Sequence, residues 1–243
     1  MLPAYEAMLE AFYSVILNPG DMVIDVGAHN GRHSFPMAAR VAGGGRVYSF
    51  EPLPVQYHQL AALVEERGVR EISVFNFALG VENGTAIFTS VPDFPEYSGF
   101  KERGYHDGSI RRESINVEVR SLDALFPDNR DIRFIKIDVE GGELSVLRGG
   151  RDLIARSRPV VSFELGDSSL INYDYTSDDY FSYFEGLGYR IFSIFGLELD
   201  RDQFVEFSAR QFLWDYVAIP HERSWPAGHA PIRVMIDQMG GIG

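Results

Sequence analysis

Asp21-Met22-Val23-Ile24-Asp25-Val26-Gly27-Ala28-His29-Asn30-Gly31 is the stretch that decides the fold. Met22 to Val26 is a short apolar run of the kind that forms a buried strand in a parallel sheet. It ends at glycines, which reach φ > 0 and let another group approach the backbone closely. Helix-compatible residues follow from about Arg32 to Val41. Strand, glycine turn and helix in that order put backbone N–H groups at the carboxyl edge of a sheet, where open α/β folds bind ligands.

The same rhythm extends on both sides. Tyr5 to Leu17 carries Met8, Leu9, Phe12, Val15 and Ile16 at helical spacing and stops at Asn18-Pro19-Gly20. After Gly43-Gly44-Gly45, a second strand is expected over Arg46–Phe50, a helix over Pro54–Arg67 stopped by Gly68, and a third strand over Ile72–Phe77. Three strands alternating with helices make a βαβαβ unit with right-handed crossovers. The rhythm breaks at two extended segments, Thr85–Ser90 and Ile115–Val119. Between them, residues 91–114 read as a lid-like insertion, since their Phe and Tyr content is unlike a disordered linker. Alternation resumes with strands over Phe134–Val139 and Val160–Leu165, separated by helical Glu143–Leu147 and Asp152–Arg156. Thr176–Leu187 reads as a helix, and Tyr189–Phe195 with Phe212–Ile219 as a strand pair. One domain over 1–220, with an N-terminal helix within 1–18 and a peripheral tail over 221–243, accounts for the chain.

Composition narrows the partners. A hydrophobic content of 45% supports a large core, and a formal net charge of −13 argues against nucleic acid, whose phosphates call for basic surface. No run of ~18 apolar residues is present, so no membrane-spanning helix is expected. The first residues lack the basic segment and small-residue cleavage site of a signal peptide, and a cytoplasmic location is expected. With no cysteine, disulfides and thiolate metal sites are excluded. A homo-oligomer is compatible with all of this.

Each expected parallel strand ends in polar or glycine residues. They are Asp25 with Gly27 to Gly31, then Glu51, Asn76 to Ala78, Asp138-Val139-Glu140-Gly141, and Glu164. Glu51 follows Asp25 by ~26 residues, near the distance at which an acidic residue accepts ribose hydroxyls in nucleotide-binding sheets. Acidic strand ends suit a nucleoside that carries no phosphate. The turn has Gly27 and Gly31 but not the G-x-G-x-x-G of a dinucleotide site, nor a Walker-type G-x-x-x-x-G-K-[ST]. The plainer accounts are an ordinary strand–helix turn for the glycines, a solvated loop carboxylate for Glu51, a turn cap for Asp25, and a structural ion network for Asp138, Glu140 and Lys136.

Asp25-Val26-Gly27-Ala28-His29-Asn30-Gly31, Phe50-Glu51-Pro52, Ala78-Leu79-Gly80 and Phe134-Ile135-Lys136-Ile137-Asp138-Val139-Glu140-Gly141-Gly142-Glu143 together resemble the FkbM-type methyltransferases. The resemblance runs from about Pro19 to Pro220, where Asp215 to Pro220 is similar to the family's last strand. It implies a Rossmann-like three-layer α/β sandwich with a seven-stranded, mainly parallel sheet and an antiparallel last strand. It further implies S-adenosylmethionine as cofactor and O-methylation of a sugar or other small natural product. On that reading Asp25, Gly27, His29, Asn30 and Gly31 cradle the methionine part, Glu51 binds ribose, and Asn76, Phe77 and Ala78 border adenine, with Asp138 beside them.

Methyl transfer to an alcohol needs positioning and a base within ~3 Å of the hydroxyl. Asp138, Glu164 and His106 are the catalytic candidates, with His29 and His33 near the first turn as further histidines. A His29/His33 metal pair lacks an H-E-x-x-H context, and Mg²⁺ on Asp138 and Glu164 has no further support, so no metal is assigned. Tyr173 and Tyr175 read as packing rather than an acceptor pocket. An NAD-dependent oxidoreductase or epimerase and a non-catalytic nucleoside-binding module are the alternatives.

Overall fold

The computed structural model describes residues 5–95, 98–101, 111–128, 131–166, 170 and 172–229. Its centre is β1 (Met22–Val26), whose residues alternate between two cores. Ile24 and Val26 face one cluster and Val23 the other, as the two-residue period of a strand requires. The neighbouring strand over Ile132–Ile137 repeats the division, with Ile135 and Ile137 on the first face and Phe134 on the second. Complete burial of each such side chain stabilises by roughly 1.5–3 kcal/mol.

In chain order the elements are α1 (Tyr5–Ile16), β1, α2 (Ser34–Val41), β2 (Arg46–Phe50), α3 (Pro54–Glu66) and β3 (Ile72–Phe75). Then come β4 (Ala78–Leu79), β5 (Gly84–Ser90), β6 (Glu113–Arg120), α4 (Leu122–Leu125), β7 (Ile132–Ile137), α5 (Glu143–Gly149) and α6 (Arg151–Ser157). The last are β8 (Val160–Glu164), α7 (Ser177–Gly186), β9 (Tyr189–Ser193), β10 (Glu198–Leu199), α8 (Arg201–Ala209) and β11 (Asp215–Pro220). The main sheet runs β10-β9-β11-β8-β7-β1-β2-β3, with β11 antiparallel to both β8 and β9. Residues of α1 and α2 cover one face; residues of α5, α6, α7 and α8 cover the other. The Rossmann-like three-layer sandwich is the fold expected from the sequence.

Several expectations need correcting. The main sheet has eight strands rather than seven, because the two-residue β10 pairs with β9 at the edge. The third strand stops at Phe75, and Ala78–Leu79 leaves it to pair with β6 in a second, three-stranded sheet β4-β6-β5. That sheet unites the two extended segments, with Thr85 opposite Glu118 and Phe88 opposite Ile115. The sequence reading assigned no element to 200–210, yet α8 lies there. Its mark is a capping box in which Asp200 accepts from Gln203 N and Gln203 accepts from Asp200 N. The tail expected to be peripheral packs on α1 over 221–229: Trp225 lies 4.9 Å from the Phe12 ring, and buried His229 Nε2 is 3.2 Å from Met8 O. Its large rings give it apolar surface to bury. Residues 230–243 lie outside the described residues.

Candidate functional site

The carboxyl ends of β1, β2 and β7, with the 77–79 segment, enclose a cavity of about 530 Å³. Gly27 makes the close approach of the chain just past β1 and β7 possible. At φ +78°, an added Cβ would stand 1.9 Å from the Asp138 carbonyl oxygen, so only glycine fits. Gly31, at φ +80°, is similarly confined by Leu60 and Phe35.

The amides of this turn do not face a ligand as expected. Gly27 N and Ala28 N both donate to Phe50 O, at 3.0 and 3.1 Å, and Gly31 N donates to Ala28 O. His29, in the left-handed region at φ +46°, donates its backbone N–H to Glu51 Oε2 at 2.8 Å. The first turn therefore ties β1 to β2, and a pyrophosphate finds those N–H groups already taken.

Glu51 is 4% exposed. Its second oxygen accepts from Leu53 N at 2.9 Å, so each carboxylate oxygen is held by one amide and retains a lone pair for the cavity it lines. Burial, opposed by those two N–H groups, pushes its pKa up to about 7. Asn76 is exposed and is not among the cavity-lining residues. Its Nδ2 donates to Glu51 O and Pro52 O at 2.9 and 3.0 Å, which fixes the turn that carries Glu51. Phe77 and Ala78 do line the cavity, with Leu53 and Leu79, as an apolar wall. Asn30 lines it as well, while its Oδ1 accepts from Arg32 N; Gly31 is buried behind the turn and does not.

Asp25, 1% exposed, accepts from Ser34 Oγ at 2.6 Å, and Lys136 Nζ stands 3.7 Å from its other oxygen. Lys136 donates to Asp138 Oδ2 at 3.2 Å. Burial opposes the ammonium charge, but Asp138 and Asp25 outweigh it and raise the pKa of Lys136. The structural network considered from the sequence thus exists around Lys136. Asp138 also shares a hydrogen bond with Glu164. Burial pushes Asp138 up, yet the Lys136 charge and the bonds from Lys136 and Glu164 hold it below the usual carboxylate range. Glu164 is driven well above that range by burial and then by the charge of Asp138. Of the two, Glu164 is the one whose surroundings favour the protonated form. Asp138 and Glu164 both line the cavity; His106 lies outside the described residues.

Two contributors, Glu143 and Glu6, escaped the sequence reading. Glu143 lies under the β7 loop, where Oε1 accepts from Val139 N and Gly141 N, each at 3.1 Å, and Tyr180 donates to Oε2 at 3.2 Å. It stabilises a loop in which Glu140 stands at φ +61°. Glu6 on α1 meets His33 Nε2 at 2.9 Å, and both line the cavity. His33 Nδ1 is hydrogen-bonded to Tyr13 OH at 3.2 Å, so this histidine joins α2 to α1. Pro95, Ser98 and Phe100, from the expected lid, also line the cavity, and the segment folds back through Thr89 and Gly99. Only packing across the tertiary fold reveals these roles.

The methyltransferase FkbM domain family matches residues 25–191, more than half of the chain. The chain belongs to the FkbM methyltransferase family. It is 28% identical over 195 residues to the AMB antimetabolite synthetase AmbE of Pseudomonas aeruginosa, covering 64% of this chain and 9% of that protein. It is 30% identical over 171 residues to the 31-O-demethyl-FK506 methyltransferase FkbM of Streptomyces tacrolimicus, covering 58% and 63% respectively. The chain spans less than two thirds of the length of the curated relatives it matches. Among solved structures, a methyltransferase FkbM from Methylobacillus flagellatus KT is similar in fold, with TM-score 0.52 and 18% identity, over 88% of this chain and 55% of that one.

Proposed function

We propose that this FkbM-family chain binds S-adenosylmethionine in the 530 Å³ cavity and methylates a hydroxyl oxygen of a small molecule. The observation that carries the reading is Glu51, buried at the end of β2 with each oxygen fastened by one amide and one face open to the cavity. A vicinal diol matches that carboxyl group, and the wall of Leu53, Phe77 and Ala78 suits an adenine ring. Glu6, Asp25, Asp138 and Glu140 around the remaining space suit the positively charged sulfonium and ammonium of the methionine part. Cavity volume and donor set fit that cofactor. They do not fit a dinucleotide, whose pyrophosphate would meet carboxylates and engaged amides.

Glu51, the Leu53–Phe77–Ala78 wall and the acidic strand ends would hold S-adenosylmethionine, which would supply an electrophilic methyl group and leave as the neutral thioether. The chain's residues orient the acceptor and take its hydroxyl proton. Asp138 is the ionised member of the Asp138–Glu164 pair and receives that proton, while Lys136 stabilises its negative charge beforehand. His106 remains a further candidate from the sequence. Calorimetry with S-adenosylhomocysteine and, separately, NAD⁺ tests the cofactor. Micromolar binding of the thioether, weakened at least ~10-fold by Glu51→Ala, is expected, a loss of about 1.4 kcal/mol. Binding of NAD⁺ alone overturns the reading, and methylation at nitrogen or carbon by the purified protein overturns the choice of oxygen.

A further inference from the structure

Asp25 on β1, Lys136 on β7 and Ser162 on β8 are register partners, side by side on the sheet face that carries α1 and α2. Ser162 is 2% exposed, and its Oγ has no hydrogen-bond partner among the described residues. A hydroxyl buried without a partner is unfavourable unless something else completes it. Ser162 lines a second cavity of about 270 Å³, floored by the sheet and walled by Tyr5 and Leu9 of α1 and by Trp214. This space joins the first, because Glu6, His33, Lys136, Asp138 and Glu164 line both.

Carboxyl groups dominate it. Glu6, Asp138, Glu164 and Asp215 face the space from α1, β7, β8 and β11. Its basic side chains are already engaged: Lys136 between Asp25 and Asp138, His33 on Glu6. An anionic guest is repelled here, and a neutral one answers only the acceptor oxygens. An ammonium group supplies both N–H donors and the missing positive charge. The volume falls below the ~300 Å³ at which pockets for drug-sized ligands begin, so the guest is about the size of a monosaccharide.

We propose that the second cavity is the acceptor seat and takes a compact amine-bearing polyol, an amino sugar or amino alcohol. Its ammonium lies toward Asp215 and Ser162, and the hydroxyl to be methylated points to Asp138 and Glu164. This rests on the methyl-transfer reading above and adds the acceptor's place and charge.

The test uses the full chain saturated with S-adenosylhomocysteine and titrated at neutral pH with glucosamine, glucose and glucuronate, followed by saturation-transfer NMR. Glucosamine is expected to bind at least ~10-fold tighter than glucose, with no binding of glucuronate. Asp215→Asn is expected to weaken glucosamine by ~10-fold and Ser162→Ala by a few-fold, with S-adenosylhomocysteine affinity unchanged because neither residue lines the first cavity. S-adenosylhomocysteine bound, but glucose or glucuronate held as well as glucosamine, or none of the three held, overturns the acceptor seat alone. Insensitivity of glucosamine binding to both substitutions does the same. Failure to bind S-adenosylhomocysteine overturns the methyl-transfer reading and this one with it.

Discussion

Replacing Glu51 with Gln should change the sign of its effect on stability between pH 5 and pH 7.5. The carboxyl group has an ordinary value of 4.5, and burial against the N–H groups of Leu53 and His29 lifts it to about 7 in the folded protein. Between those values the folded state holds a proton that the unfolded chain has released. Stability is therefore fullest below pH 4.5 and falls as pH rises, by about 1.4 kcal/mol per unit, levelling off above 7. From pH 5 to 7.5 the loss from this group comes to about 2.4 kcal/mol. Glutamine does not titrate, so the variant lacks that slope. It keeps one oxygen for one amide and turns an NH₂ toward the other, at a cost of roughly 1–2 kcal/mol. Against the protonated parent the variant is then less stable by about 1–2 kcal/mol at pH 5, and once the parent has lost about 2.4 kcal/mol it is more stable by about 0.4–1.4 kcal/mol at pH 7.5. Urea unfolding of both proteins at the two pH values measures this directly. Asp215, also raised to about 7, titrates in both proteins and cancels in the difference. A stability difference that does not change with pH, or that moves the other way, refutes the argument that Glu51 is a buried, proton-holding carboxyl.

Further substitutions probe the supports. Gly27→Ala places a methyl 1.9 Å from Asp138 O, and a loss of at least about 3 kcal/mol is expected, whereas Gly68→Ala, at φ +63° with open space around it, should cost only about 1–2 kcal/mol of backbone strain. Thermal unfolding of the two variants side by side checks this; equal losses would count against the β1–β7 contact. Lys136→Met leaves Asp25 and Asp138 without their shared cation, and a loss of about 3–5 kcal/mol is expected in urea unfolding at pH 7.5. Glu143→Gln keeps an oxygen for the amides of Val139 and Gly141 and should unfold within about 1 kcal/mol of the parent. Glu143→Ala leaves the amides of Val139 and Gly141 unpaired and takes from the Tyr180 O–H its acceptor, while Tyr180 still accepts from Leu144 N, and about 2–3 kcal/mol should be lost in denaturant titration.

The order of strands and helices, the glycine turn and the acidic strand ends were legible in the sequence because each is a local signal. Val23 and Ile24 sit on opposite faces whatever surrounds them, and a glycine stop needs no distant partner. The Lys-Ile-Asp-Val-Glu-Gly-Gly-Glu block, with the first turn, likewise pointed to the family to which the chain belongs. Hydrogen-bond assignment was not legible, because it depends on register between strands far apart in the chain. The sequence suggested that the amides of Gly27 and Ala28 serve a ligand; pairing with β2 gives them to Phe50 O instead. It set Asn76 beside adenine, whereas the tertiary structure turns its side chain to the backbone of Glu51 and Pro52. Glu6 and His33 stand 27 residues apart and meet only because α1 packs beside the start of α2. Ser162 looks like any small strand residue until β7 and β11 enclose it under a cavity. Local periodicity determined the scaffold; which polar groups remain open for a substrate was decided by the folded chain, where each donor takes the nearest acceptor that packing allows.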